Sequence, residues 1–183
     1  MFGRNQAREL VAARDDLNAL ARRVQLLEDI EAIRALHSKY HDYVDIGWDG
    51  KLVNPQGLRE VFTEDIFFRW SAGEPEESPG HRGVENVITM LEESTTVWEM
   101  AMHSLLNEQI FVIGDTASCT RNDWVATRAA DGRNIWFLKG FSNYTRTRDG
   151  WRIQTVELRF AGKLLPRSGG QRNANASSAS TTR

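Results

Sequence analysis

From Arg8 to about Tyr43 the chain has neither Pro nor Gly, and Leu10, Leu17, Leu20, Val24, Leu27, Ile30, Ile33 and Tyr40 recur at steps that sum threes and fours. That period predicts one long amphipathic helix or two consecutive ones. Leu10 to Leu27 keeps a nearly heptad spacing with Ala13 in the seam, while Arg8, Asp15, Asp16, Arg22 and Arg23 cover the other face. An apolar seam on a terminal helix suggests a partner subunit, and it sets residues 1–25 apart as an N-terminal helical extension. Gly47, Gly50, Pro55 and Gly57 end the helical pattern. A short helix is expected over about Gln56 to Phe62, then an aromatic-rich strand over Asp65 to Trp70.

Ser71 to Gly83 concentrates Gly, Pro, Ser and Glu and predicts a surface loop of a length also used for lids. Val84, Val87, Ile88 and Leu91 restore helical spacing to about Thr96. The period then changes to two. Met102 to Ile113, Thr116 to Thr127, Asn134 to Arg146 and Trp151 to Phe160 read as strands separated by Gly114-Asp115, Asp131-Gly132 and Asp149-Gly150. Asp-Gly between alternating runs signals a hairpin, so these four form an antiparallel meander. The end of the chain, SGGQRNANASSASTTR, lacks large apolar residues, so 166–183 are expected to be disordered. Residues 26–165 then make one α+β domain, helices packed on one face of a curved sheet with a pocket between.

Charge removes several classes of function. With 23 Lys+Arg against 25 Asp+Glu, the net charge of -2 gives no bulk reason to bind nucleic acid or an anionic membrane. Cys119 is the only cysteine, so neither an internal disulfide nor a thiolate cluster can form. The N-terminus has no apolar stretch of signal-peptide length, and the default expectation is a cytoplasmic protein.

Four histidines carry the candidate chemistry: His37, His41, His81 and His103. His37, His41 and Asp45 follow one another at four-residue steps near one helical stripe. That is a possible metal arrangement, but HSKYH lacks the Glu of the zinc hydrolase motif and the sequence indicates no third ligand nearby, so no metal site is assigned. His103 stands where the helical part ends and the first long strand begins. Asp45 closes the long helix in YHDYVDIGWDG, with Tyr40, Tyr43 and Trp48 around it. A carboxylate at one ring nitrogen of a histidine fixes its tautomer and leaves the other nitrogen as a base.

Five segments resemble the nuclear transport factor 2 superfamily, in particular its SnoaL-like branch, over roughly Leu26 to Phe160: LEDIEAIRALHSKYHDYVD, LREVFTEDIFF, HRGVENVITML, MHSLLNEQIFVIGDTA and YTRTRDGWRI. The resemblance implies a cone of curved antiparallel sheet closed by helices, the cystatin-like roll. Within that family Asp45 and His103 look like the Asp-His dyad of scytalone dehydratase, hexachlorocyclohexane dehydrochlorinase and bile acid 7α-dehydratase, all lyases without a cofactor. Tyr40 resembles a substrate-facing tyrosine on the same helix of the bile acid enzyme. Arg159 resembles an arginine on the terminal strand of two of these enzymes.

The implied activity is dehydration of a hydrophobic cyclic alcohol of steroid or polyketide type, with no cofactor. Isomerase, cyclase, binding-module and oxygenase-subunit roles occur on the same fold. Tyr43, Phe68, Trp124 and Asn122 are candidate substrate contacts beside Arg159. The expected partners are a small hydrophobic cyclic substrate and further copies of the chain in a dimer or trimer.

Overall fold

A computed structural model describes residues 3–71, 78–130 and 132–164. The expected tail, part of the Ser71 to Gly83 loop and Asp131 lie outside the described residues. The first element, α1 (Gly3–Val44), is one continuous helix of 42 residues, about 63 Å long at 1.5 Å per residue. Towards its end it buries Ile33, Leu36, Tyr40 and Val44 against the domain, whereas Leu10, Leu17, Leu20 and Leu27, all before them, are exposed. Helix α2 (Pro55–Val61) starts with Pro at its first position, and the Asn54 side chain accepts from the Gly57 backbone N–H at 2.9 Å. Both are N-terminal devices, since Pro has no N–H to leave orphaned and Asn satisfies one that would be.

Strand β1 (Phe62–Ser71) follows, then the two-residue strand β2 (His81–Arg82) and helix α3 (Val84–Thr95). The expected meander is β3 (Met100–Ile113), β4 (Thr116–Ala129), β5 (Gly132–Thr147) and β6 (Gly150–Leu164). All six strands form one sheet in the order β2-β1-β6-β5-β4-β3. The sheet is curved and mixed rather than wholly antiparallel, because β1 runs parallel to β6. A parallel pair needs a long crossover, and everything from β2 through β5 supplies it. Hairpin signals report only neighbours in sequence, so they could not reveal this pairing.

Two bulges decide which side chains face the helices. On β3, Asn107 (φ 54) and Glu108 oppose the single residue Arg121. The alternation reverses there: Ala101 and His103 point inward before the bulge, Glu108, Ile110 and Val112 after it. On β6 the extra residue is Gln154, between Ile153 and Thr155. Trp151 and Ile153 face inward before it, Val156 and Leu158 after it. The core joins α1, α2 and α3 to this face through Ile33, Leu58, Ile66, Val87, Ile153 and Val156, each at most 0% exposed. Burying each such side chain is worth about 1.5–3 kcal/mol. No described helix is long and apolar enough to cross a membrane.

Candidate active site

Asp45 is the first residue beyond α1, and its backbone N–H donates to the His41 carbonyl at 2.8 Å. The next residue, Ile46, makes a two-way backbone bridge with Ala101 of β3, at 3.0 and 3.2 Å. Gly47 (φ 83) follows, and a Cβ there would lie 2.1 Å from the Glu99 carbonyl oxygen. Only glycine permits that approach, which locks the end of α1 onto the start of β3. Two residues along β3, the locked strand presents His103 to Asp45. Asp45 Oδ1 accepts from the His103 backbone N–H at 3.0 Å and sits 2.7 Å from its Nδ1. An ionised carboxylate can only accept, so the proton of this contact sits on Nδ1, and in the neutral imidazole Nε2 is the nitrogen that keeps its lone pair. Nε2 has no hydrogen-bond partner among the described residues.

His103 lines a cavity of about 300 Å³ between α1, α3 and the inner face of the sheet. Its walls are mainly apolar and aromatic: Phe68 and Trp70 from β1, Met90 and Leu91 from α3, Trp136 and Leu138 from β5. Trp136 is fixed edge-on to Trp98 and donates its indole N–H to Thr127 Oγ1 at 3.0 Å. Tyr40 reaches the same cavity, and its hydroxyl makes no hydrogen bond among the described residues. Burial pushes the Tyr40 phenol well above its ordinary pKa, so it is a proton-bearing donor at neutral pH. An apolar cavity with few convergent polar groups is the usual form of a small-molecule site.

Behind the cavity lies a second polar group, in which His37 and His41, spaced along one stripe of α1, meet Glu108 and Tyr144, which helical spacing does not reach. The His41 ring stacks on His103 at 5.1 Å, and His37 follows at 6.1 Å from His41. His37 donates Nδ1–H to Glu108 Oε1 at 2.7 Å, and its Nε2 accepts from the Tyr144 hydroxyl. Burial lowers the His37 and His41 pKa values, the latter strongly, and raises that of Tyr144. The hydrogen bond from His37 lowers that of Glu108. All four shifts agree with neutral imidazoles, a carboxylate and a phenol. Glu108 and Cys119 give His37 two neighbours with ligand-type atoms, all within 4.8 Å of one another. Both His37 nitrogens are nevertheless engaged in hydrogen bonds, and burial keeps the Cys119 thiol protonated.

Arg121 and Asp123 form a fully buried ion pair on β4, Nε to Oδ1 2.9 Å, with Arg121 Nη1 also donating to Ser142 at 2.8 Å. Gly140 makes room for it, since a Cβ there would lie 2.3 Å from Asp123 Oδ2. Arg121 Nη2, Asp123 Oδ2 and His41 Nδ1 are buried without partners among the described residues.

Four candidate contacts lie elsewhere than expected. Arg159 is exposed and caps the Phe141 ring at 4.9 Å, because the Gln154 bulge turns it to the outer face beside Glu157, which pairs with Arg69. Asn122 and Trp124 alternate with the inward Asp123 and Val125, so they too face outward; Asn122 accepts from Lys139 at 3.3 Å and Trp124 packs on Phe137. Tyr43 packs against α2, its ring 2.7 Å from where a Gly57 Cβ would be. Phe68 is on the cavity wall. Arg121, Asp123 and Thr127 are the inward polar residues of β4, and Asn122 lies on the opposite parity.

A family model described as a SnoaL-like domain matches residues 25–157. No individually curated protein matches the sequence. Among solved structures, a nuclear transport factor 2-like protein with a cystatin-like fold from Novosphingobium aromaticivorans is similar, with 24% identity and TM-score 0.64 over 80% of this chain and 90% of that one. A provisionally named scytalone dehydratase from the same organism has 20% identity and TM-score 0.63 over 75% and 87%. The type 2 hexachlorocyclohexane dehydrochlorinase LinA has 16% identity and TM-score 0.61 over 88% and 99%. At these identities the likeness is one of fold, whereas the family model spans well over half of the sequence. The chain belongs to the SnoaL-like family and has its nuclear transport factor 2-like, cystatin-like fold.

Proposed function

We propose that the protein is a cofactor-independent lyase, a dehydratase that removes water from a hydrophobic cyclic alcohol of steroid or polyketide type. The observation that carries this reading is the 2.7 Å pair of Asp45 with His103 Nδ1, which leaves Nε2 unpaired on a side chain that lines an apolar cavity. His103 Nε2 takes a proton from the carbon next to the one bearing the hydroxyl. The C–H electron pair becomes the new double bond as the C–O bond breaks. Asp45 stabilises the imidazolium and holds its orientation. Tyr40 donates a hydrogen bond to the departing oxygen, and the imidazolium returns its proton to that oxygen, so water leaves and the base is regenerated. Scytalone dehydratase and dehydrochlorinase names among the similar folds support an elimination. The aromatic walls favour a flat, apolar substrate.

The test is incubation with a panel of hydroxylated steroids and polyketide alcohols, read by mass spectrometry for loss of one water. The reading predicts at least one such conversion and its disappearance in His103→Gln. Saturable binding without conversion of any member would instead make the cavity a carrier site.

A further inference from the structure

The apolar stripe of α1 changes sides. Up to residue 27 it runs through Leu10, Ala13, Leu17, Leu20, Val24 and Leu27, an unbroken alternation of seven-residue a and d positions. From Ile33 onward it runs through Leu36, Tyr40 and Val44, which the domain buries. Val24 and Ile33 are nine residues apart, so at about 100° per residue the two stripes lie on opposite sides of the helix. The domain that covers one stripe therefore cannot cover the other. Leu10, Leu17, Leu20, Val24 and Leu27 remain 72%, 66%, 54%, 45% and 62% exposed.

The charges beside this seam identify the partner. With a at Leu10, Leu17 and Val24, the g positions include Glu9 and Arg23, and the e positions include Arg14 and Glu28. In a parallel, in-register pair of identical helices each g residue meets the e residue five places on in its partner. Glu9 then meets Arg14 of the second copy and Arg23 meets Glu28, each pair occurring twice. These four side chains make no ion pair within the chain among the described residues. The matched antiparallel register sets Glu9 against Ile30 and Arg14 against Ala21, keeping only Asp16 with Arg23. In the last heptad of the seam, Val24 at a with Leu27 at d is the combination that favours two parallel strands.

We propose that residues 10–27 of α1 pair with the same segment of a second copy as a parallel two-stranded coiled coil, about 27 Å long. Because the seam faces away from the domain, the two domains hang on the outer sides of the coil and each cavity stays unobstructed by the pairing. Sedimentation velocity of the full chain at tens of micromolar should give a dimer. Leu17→Asp with Leu20→Asp should give a monomer whose domain melts at the unchanged temperature. Glu9→Arg alone should weaken the dimer on the order of tenfold by turning two attractive pairs repulsive. Adding Arg14→Glu should restore it. A monomeric wild-type chain, a dimer that survives the Leu17/Leu20 substitutions, or a charge reversal that its swap does not rescue would each overturn the proposal.

Discussion

His37 and His103 both place Nδ1 2.7 Å from a carboxylate oxygen, one on Glu108 and the other on Asp45. Their opposite nitrogens differ. His37 is 0% exposed, and its Nε2 is taken by the Tyr144 hydroxyl. His103 lines the cavity with Nε2 unpaired among the described residues. A carboxylate–histidine pair is thus compatible with two roles, and the environment of the second nitrogen separates them. In the core, the pair satisfies polar groups that burial would otherwise leave costly. At the cavity, the same pairing leaves a ring nitrogen without a partner among the described residues, the base of the proposed elimination.

That contrast makes the polar groups of the core a matter of stability, and the sharpest way to break it is to remove one partner of the Arg121–Asp123 pair. Arg121→Met or Asp123→Leu should cost about 3–5 kcal/mol, because each leaves a buried charge uncompensated. The double replacement should recover most of that loss, as measured by denaturant unfolding. A single substitution costing under about 1 kcal/mol would mean that the pair is not buried as described.

A smaller effect is expected from pH. Burial holds His37 and His41 below the ordinary imidazole range in the folded chain. As pH falls below about 6.5 the unfolded chain takes up protons that the folded chain does not. Stability is therefore kept above that range and lost on the acid side, by at most about 1.4 kcal/mol per pH unit for each histidine. His41→Phe removes one of the two protons, so the acid-side slope of stability between pH 6.5 and 5 should become shallower. An unchanged slope would place the His41 titration outside the folding equilibrium.

Much of the scaffold is legible in local chemistry. Gly114-Asp115 and Asp149-Gly150 announce hairpins because turns need few residues, and the helices follow from their period. The parallel β1–β6 contact is encoded by no short-range pattern. Bulges hid the facing of Arg159 and of Glu108, since one extra residue reverses which face every later side chain takes. Counted from Trp151 by twos, Arg159 lands on the inner face; Gln154 turns it out. The Asn107 bulge does the reverse for Glu108, carrying it in to His37. Asp45 and His103 were recognised through family resemblance, because 58 residues separate them and no spacing rule links a helix end to a strand start.

The central claim is that His103 and Asp45 act as one catalytic unit, and a double-mutant cycle on turnover of a substrate found in the panel tests it most directly. His103→Gln should lower turnover on the order of 10² to 10⁴, the usual contribution of a positioned general base. Asp45→Asn should lower it as well, since an amide holds the ring but does not stabilise the imidazolium. The account predicts a double mutant about as impaired as the worse single one, with folding intact in all three. Losses that simply add, or a folded His103→Gln protein that turns over at the wild-type rate, would contradict it.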